Sequence, residues 1–162
     1  MKRLLLVRHA KSSWDDPDLA DIDRPLNKRG KRDAPTMGRR LAERGIAPGL
    51  IVSSPAKRAR RTALLLAEEI AYPEETIALD ERIYEASAAE LLDVIRGFDD
   101  AQDTALLVGH NPGLTELGNL LTGAGIANIP TCGILCAELR GTSWKELAAG
   151  ATILSFFDYP KR

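Results

Sequence analysis

The 162-residue chain is poor in the residue types that characterise several classes of protein. It has only two cysteines and two histidines, too few for a disulfide framework or for a metal site with ligands at close spacing. Its 22 lysines and arginines nearly balance 23 aspartates and glutamates, so the net charge of -1 provides no general attraction to nucleic acid or anionic membranes. Its N-terminal apolar run is too short for a signal peptide or a membrane span. We therefore expect a cytoplasmic protein with no metal, no cofactor, no nucleic-acid partner and no membrane contact.

Apolar runs of strand length alternate with segments of helical periodicity along the chain. The expected strands are residues 2–7, 50–52, 77–79, 104–110, 133–139 and 151–157. The expected helices run from near Asn27 to Arg44, follow Ser53-Ser54-Pro55, follow Ser87 and follow Asn111-Pro112. This alternation predicts an α/β fold with a mostly parallel sheet, organised as one domain over residues 1–162.

Both histidines stand at the ends of apolar strands. His9 closes the run KRLLLVRH, and His110 closes TALLVGH. Ligands of open α/β sheets bind outside the carboxyl ends of the strands, which places both imidazoles where a site is expected. A neutral imidazole is a competent nucleophile toward phosphorus, and the guanidinium of Arg8 beside it suits phosphoryl oxygens. The alternative is a structural histidine that is hydrogen-bonded at a strand end.

Another candidate arginine follows the second expected strand. In SSPAKRARRTA, Arg58 lies in the first turn of the expected helix, close to the strand ends. The spacing predicts that Arg58, Arg61 and Thr62 share the face toward the sheet. A buried arginine needs an anionic partner, and residue spacing alone leaves both a substrate phosphate and an internal carboxylate open.

The second histidine belongs to the segment Gly109-His110-Asn111-Pro112-Gly113. His110 is expected to donate to a phosphoryl oxygen or to orient His9. Asn111 is expected to cap the helix that follows, and it is also a candidate phosphate-binding residue.

Taken in order, LxRHAKS, SSPAxRAxxTA and VGHNP resemble the histidine phosphatase superfamily over nearly the whole chain. The variant RHAKSSW, with DxDRPLNKRG downstream, resembles the SixA-type phosphohistidine phosphatase branch. This resemblance implies a phosphoglycerate mutase-like fold, a three-layer α/β/α sandwich around about six strands.

The resemblance also implies roles for individual residues. His9 corresponds to the nucleophile that is transiently phosphorylated, and Arg8, Arg58 and His110 correspond to the rest of the phosphate pocket. Ser12 matches a serine that helps to line the pocket. Glu85 is the candidate proton donor by its position between the arginine helix and the second histidine.

The expected reaction is a metal-independent hydrolysis of phosphohistidine on a protein, or of another accessible phosphate group. One alternative is a small-molecule phosphomonoesterase or a phosphoglycerate mutase-like enzyme. An alternative of another class is a phosphate-binding module without catalysis. The oligomeric state and the physiological substrate do not follow from the sequence.

Overall fold

Six strands form a single sheet in the computed structural model, which describes all of residues 1–162. In chain order the strands are β1 (Lys2–Arg8), β2 (Leu50–Ser53), β3 (Ala78–Leu79), β4 (Thr104–Gly109), β5 (Ile134–Leu139) and β6 (Thr152–Asp158). Their order across the sheet is β3-β2-β4-β1-β5-β6. The pairings among β3, β2, β4 and β1 are parallel, and β5 is antiparallel to both of its neighbours. The expected mostly parallel sheet is confirmed.

Four α-helices connect the strands: α1 (Lys28–Glu43), α2 (Lys57–Glu69), α3 (Ala88–Arg96) and α4 (Gly113–Thr122). Asn27 caps α1 by accepting a hydrogen bond from the Gly30 amide at 2.9 Å. Ser87 and Glu90 form a reciprocal capping box at the start of α3. No helix is both long and apolar enough to span a membrane.

The helices cover both faces of the sheet and produce the three layers that the resemblance implies. Leu5 and Val7 of β1 point into a core shared with α1 and α2. Leu4 and Leu6 point to the opposite face, into a core shared with α3 and α4. This alternation along one strand explains why the apolar run is continuous, because both faces of a central strand are buried.

A serine before a helix usually caps it, but neither Ser53 nor Ser54 caps α2. The helix begins at Lys57 with Ala56 at the cap position, and no side chain there accepts a hydrogen bond from the first turn. Arg61 is exposed, so the predicted inward face is wrong at this position, whereas Arg58 and Thr62 are buried. The reason is the helical register, in which positions four apart lie closer to one line than positions three apart.

The register of the central strands brings the two histidines together. Arg8 of β1 pairs with Gly109 of β4, and the His9 amide donates to the Gly109 carbonyl at 3.1 Å. His9 and His110 therefore leave neighbouring strands at the same level, at the carboxyl edge of the parallel part of the sheet.

Candidate active site

His9 presents one free ring nitrogen. Its Nδ1 lies 2.8 Å from the carbonyl oxygen of Ala10, which can only accept, so Nδ1 carries the proton. The ring is 8% exposed, and burial lowers the pKa of His9 to about 3 against the opposing effect of the Ala10 bond. At neutral pH the imidazole is uncharged, and the Nε2 lone pair remains available as a nucleophile.

The carbonyl that orients His9 is fixed by α2. The hydroxyl of buried Thr62 accepts from the Ala10 amide at 2.9 Å and donates to the Arg58 carbonyl at 2.8 Å. On the other side, the Cys132 amide donates to the carbonyls of Arg8 and His9 at 3.0 and 3.1 Å. These contacts hold the bend of the chain after β1. Arg8 and His9 are consecutive residues, and in a regular strand their side chains would point to opposite faces of the sheet, so they can reach one ligand only because the chain bends there.

His110 has partners on both ring nitrogens. Its Nδ1 lies 3.5 Å from Nη2 of Arg58, a group that can only donate, so Nε2 carries the proton and donates to the Ser54 hydroxyl at 2.8 Å. Burial and the charge of Arg58 lower the pKa of His110 to about 4. The rings of His110 and His9 have centroids 5.2 Å apart and planes inclined by 52°.

Arg8 has no carboxylate partner. Its Nη1 donates to the Ile129 carbonyl at 3.0 Å, and its buried Nε has no hydrogen-bond partner. Burial lowers the pKa of Arg8, because removing a cation from water disfavours its charged form. The cost of burying the cation is offset when an anion binds beside the guanidinium, so Arg8 is prepared for an anionic ligand.

Arg58 is held by an internal carboxylate. Its Nη1 donates to the main-chain carbonyl of Asp21 at 2.7 Å, and its Nη2 lies 3.0 Å from the Asp21 carboxylate. The sequence left two partners open for Arg58, an internal carboxylate and a substrate phosphate. The structure shows a contact with a carboxylate. The guanidinium also reaches His110, another residue of the expected phosphate pocket.

Asp21 joins three side chains at the mouth of the pocket. Its carboxylate accepts from the Tyr84 hydroxyl at 2.5 Å and from Nη1 of Arg24 at 3.2 Å, in addition to Arg58. The hydrogen bond from Tyr84 lowers the pKa of Asp21, and the same bond raises the pKa of Tyr84 to about 12. At neutral pH Asp21 is ionised and Tyr84 holds its proton tightly, so neither is suited to protonate a leaving group.

Asp21, Tyr84 and Ser54 were not predicted as site residues. Asp21 lies in a short 3-10 helix, Asp21–Asp23, within the long segment between β1 and α1. The signal for Asp21 was its place at the start of DIDRPL, three residues before Arg24. The signal for Ser54 was ambiguous, because a serine before a helix usually caps it.

Two of the expected phosphate-binding side chains, those of Ser12 and Asn111, have hydrogen-bond partners within the protein. The Ser12 hydroxyl is buried and accepts a hydrogen bond from Arg24. The Asn111 amide donates to Asn128 and to the Ile129 carbonyl, both at 2.9 Å, and its oxygen accepts from Thr115. Asn111 is not the cap of α4, because Pro112 holds that position without a side-chain hydrogen bond. The Asn111 oxygen instead accepts from the Thr115 amide in the first turn of α4.

The expected proton donor, Glu85, lies next to the site residue Tyr84. Glu85 is exposed, has no hydrogen bond or ion pair through its carboxylate, and adopts a left-handed backbone conformation with φ of 57°. The ring of Tyr84 meets His110 edge-on with centroids 5.5 Å apart, so this turn reaches the pocket. The structure thus brings Glu85 near the site and leaves its carboxylate without a fixed position.

The assembled group consists of two imidazoles of lowered pKa and two guanidinium groups, those of Arg8 and Arg58, which both lie close enough to His9 to lower its pKa. Hydrogen-bond donors in this arrangement suit the equatorial oxygens of a phosphoryl group. No three side chains of histidine, cysteine, aspartate or glutamate are grouped so that they could hold a metal ion. Both cysteines are buried, and burial raises the pKa of Cys132 to about 12 and that of Cys136 to about 11.

Comparison with known proteins agrees with this geometry. Residues 4–94 match the model of the histidine phosphatase superfamily, branch 1. The chain belongs to this superfamily. Members of the histidine phosphatase superfamily are phosphatases or mutases.

Relatives of this chain extend the similarity over almost its full length. An uncharacterized chloroplastic protein of Arabidopsis thaliana is 35% identical over 156 residues, which are 91% of this chain and 71% of the relative. The solved structure of SixA from Agrobacterium tumefaciens is 27% identical, with a TM-score of 0.84 and 98% of each chain covered. SixA from Nakamurella has the same fold, with a TM-score of 0.87 at 23% identity over 99% and 97% of the two chains. The SixA-type resemblance is confirmed.

Proposed function

We propose that this protein hydrolyses phosphohistidine on a protein substrate through a phospho-His9 intermediate and without a metal. The observation that carries the proposal is the single free nitrogen of His9, with its proton fixed on the far side of the ring by Ala10. The SixA structure from Agrobacterium tumefaciens, whose name assigns it to the phosphohistidine phosphatases, supports the substrate class. We further propose that residues 1–162 act as one domain, because strands from both ends of the chain belong to the same sheet.

In the first step the Nε2 lone pair of His9 attacks phosphorus in line with the leaving group. The new P–N bond forms as the bond between phosphorus and the substrate nitrogen breaks, and the substrate imidazole leaves with the electron pair. The guanidinium groups of Arg8 and Arg58 stabilise the charge on the equatorial oxygens. His110 donates to a phosphoryl oxygen once the approaching anion raises its pKa and places a second proton on the ring.

In the second step water attacks the phosphorus of phospho-His9. The P–Nε2 bond breaks, inorganic phosphate leaves, and the electron pair returns to the His9 ring. The Ala10 carbonyl holds the Nδ1 proton in both steps, so the same nitrogen is presented to each new substrate.

The absence of a well-placed acid favours phosphohistidine over an alkyl phosphate. An alkoxide needs a proton as it leaves, whereas an imidazole leaves readily and takes up a proton from solvent on its other nitrogen. Asp21 is ionised, Tyr84 has a raised pKa, and Glu85 is exposed without a partner. These groups are consistent with a substrate that makes little demand on a general acid.

The space above the pocket also favours a protein substrate. Between Arg58 and His110 the chain forms the rest of α2, two short 3-10 helices, β3, α3 and β4, with no further helical segment to cover the histidines. A pocket without such a helical cap suits a side chain that projects from a folded protein.

The test is a comparison of three substrates under one set of conditions: a histidine-phosphorylated protein, an aryl phosphate and 3-phosphoglycerate. We expect the highest kcat/KM with the phosphohistidine protein, and trapping of phospho-His9 by mass spectrometry under acid-free conditions. The His9→Ala variant should show neither turnover nor phosphoenzyme. Transfer of the phosphoryl group back onto glycerate would identify a mutase, and tight phosphate binding without turnover would identify a binding module.

A further inference from the structure

The helices on the two faces of the sheet differ in charge at the ends that lie near the site. The first six residues of α1 and α2 contain eight cations and one acid, in the sequences KRGKRD and KRARRT. The first six residues of α3 and α4, AAELLD and GLTELG, contain three acids and no cation. The helix starts are therefore basic in one layer and acidic in the other, although Asp15 and Asp21 of the segment before α1 also lie on the basic side.

Five of the cations on the basic side form what we call the basic rim: Lys28, Lys31, Lys57, Arg60 and Arg61. All five are exposed, and none lies within ion-pair distance of a carboxylate. Further along the same two helices, Arg39 of α1 and Glu69 of α2 approach within 3.5 Å. Opposite charges thus meet between α1 and α2 away from the site, whereas the rim has only cations.

The rim places cations where a helix least favours them. The start of an α-helix carries a partial positive charge, so each nearby cation typically destabilises it and acids are preferred there. Glu90 and Glu116 follow that preference in α3 and α4, and neither α1 nor α2 has an acid in its first turn. Cations at the starts of α1 and α2 oppose the stability of these helices, and residues that oppose local stability are typical of functional surfaces.

Backbone contacts connect the rim to the pocket. A side chain at Gly30 would collide with the carbonyl of Lys11, two residues after His9, so the first turn of α1 lies directly against the segment that follows the nucleophile. Arg60 donates to the carbonyl of Pro55, before α2, and Arg58 in the same turn reaches the pocket. A segment bound at the pocket therefore passes beside the rim.

We propose that the basic rim docks an acidic segment of the phosphorylated protein and sets the direction in which that segment crosses the pocket. The inference rests on the proposed function, since it names the surroundings of the phosphohistidine that this site accepts. The acids adjoin the rim, and basic residues of the same segment face Glu85, Glu90 and Glu116 on the other side.

The two-sided distribution favours a protein over a nucleic acid. A nucleic acid carries negative charge along its whole length, and the acidic side of the pocket would repel the part that extends past the histidines. A polypeptide can present acids to one side and cations to the other. The complementary charges mainly increase the association rate, and this effect is lost at high ionic strength.

The test uses two synthetic 15-residue peptides with a central phosphohistidine, one flanked by glutamates and the other by lysines. We expect the wild-type protein to hydrolyse the glutamate peptide with about tenfold higher kcat/KM at low salt. The preference should fall below twofold at about 1 M salt, where charges are screened over a few ångströms.

The decisive variant is Lys57→Glu with Arg61→Glu, and its matched control is Lys145→Glu with Arg140→Glu. Both pairs exchange one lysine and one arginine, and the control residues are exposed near the opposite edge, beyond the Lys2–Leu139 pairing. The rim variant should lose the preference for the glutamate peptide and keep its kcat/KM on an aryl phosphate. The control should behave as wild type with all three substrates.

Equal hydrolysis of both peptides by wild type would overturn the docking inference while leaving the proposed function intact. Turnover of the aryl phosphate without hydrolysis of either peptide would overturn the proposed function, and the docking inference with it. Inhibition by a single-stranded oligonucleotide at lower concentration than by an unphosphorylated glutamate peptide would assign the rim to nucleic acid instead.

Discussion

The ends of β1 and β4 carry the same residue in opposite situations. His9 has a main-chain partner for one nitrogen and none for the other, whereas His110 has side-chain partners on both nitrogens. A main-chain carbonyl cannot change its protonation or rotate away, so it fixes the tautomer of His9 permanently. The partners of His110, Ser54 and Arg58, can rearrange when a ligand arrives. The difference is consistent with the roles proposed here, a nucleophile at β1 and a hydrogen-bond donor at β4 that can rearrange.

The sharpest way to break this comparison is to remove each imidazole in turn. His9→Ala should reduce kcat on an aryl phosphate by about 10⁴-fold or more, because the covalent route is lost. His110→Ala should reduce it by about 10²-fold to 10³-fold, the usual cost of removing one donor to a developing charge. Steady-state kinetics of both purified variants provides the measurement, and equal losses would show that the two histidines share one role.

The low pKa values of both rings predict that stability falls as the solution is acidified. Each folded-state pKa lies below the value of about 6.5 in an unfolded chain, so the unfolded state binds more protons and stability decreases as pH falls from about 6.5 toward 4. With one to two protons involved, the free energy of unfolding should drop by about 1.4 to 2.7 kcal/mol per pH unit. Urea denaturation between pH 7 and 4.5 measures this slope.

The matched control for that slope is the His9→Gln, His110→Gln protein, which cannot take up these protons. Its free energy of unfolding should vary much less over the same interval. An unchanged slope in this variant would assign the acid sensitivity to other groups. Saturating inorganic phosphate should also reduce the slope in the wild-type protein, because a bound anion favours the protonated form of His110.

A change at Asp21 tests the surroundings of His110, because Asp21 holds Arg58 and Arg58 contacts the His110 ring. Asp21→Asn should lower kcat by about tenfold through misplacement of Arg58, without weakening the binding of inorganic phosphate, because a negative charge beside the pocket is removed. Ultraviolet titration should show the pKa of Tyr84 returning from about 12 toward its ordinary value. Asp23→Asn, an exposed change in the same short helix, should alter none of these quantities. A parallel loss of phosphate affinity would argue against a positioning role.

The smallest effect on the phosphohistidine reaction is expected at Glu85. Glu85→Gln should change kcat/KM on a phosphohistidine peptide by less than about twofold, and it should reduce turnover of an alkyl phosphate by about 10²-fold if that ester takes its proton there. Side-by-side rates on the two substrates provide the measurement. Equal losses on both would make Glu85 the general acid for phosphohistidine as well.

Much of the site was predictable because a parallel sheet collects its functional residues at the ends of strands. Arg8, His9 and His110 follow from two apolar runs, and Arg58 follows from the turn after a third. The positions at the strand ends are local properties of the chain. Their combined match to a family pattern then indicated the chemistry.

The contacts of Asp21 could not be derived in the same way. Its partners Arg58 and Tyr84 are 37 and 63 residues away, and Asp21 itself lies in a polar segment without periodicity. Arg61 shows the other limit, because spacing alone did not separate positions three and four residues apart on α2. The role of a charged loop residue can be assigned only when the fold shows which residues it contacts.

An exposed tryptophan is linked to the site through Arg24. The guanidinium of Arg24, which contacts Asp21, lies 3.3 Å from the ring centroid of Trp14. Trp14 is 72% exposed, whereas Trp144 is fully buried, so a soluble quencher such as acrylamide separates their emission. Any ligand that moves Arg58 and Asp21 also disturbs the stack on Trp14. We therefore expect Trp14 emission to change when a ligand binds, so that binding can be followed in real time without a label.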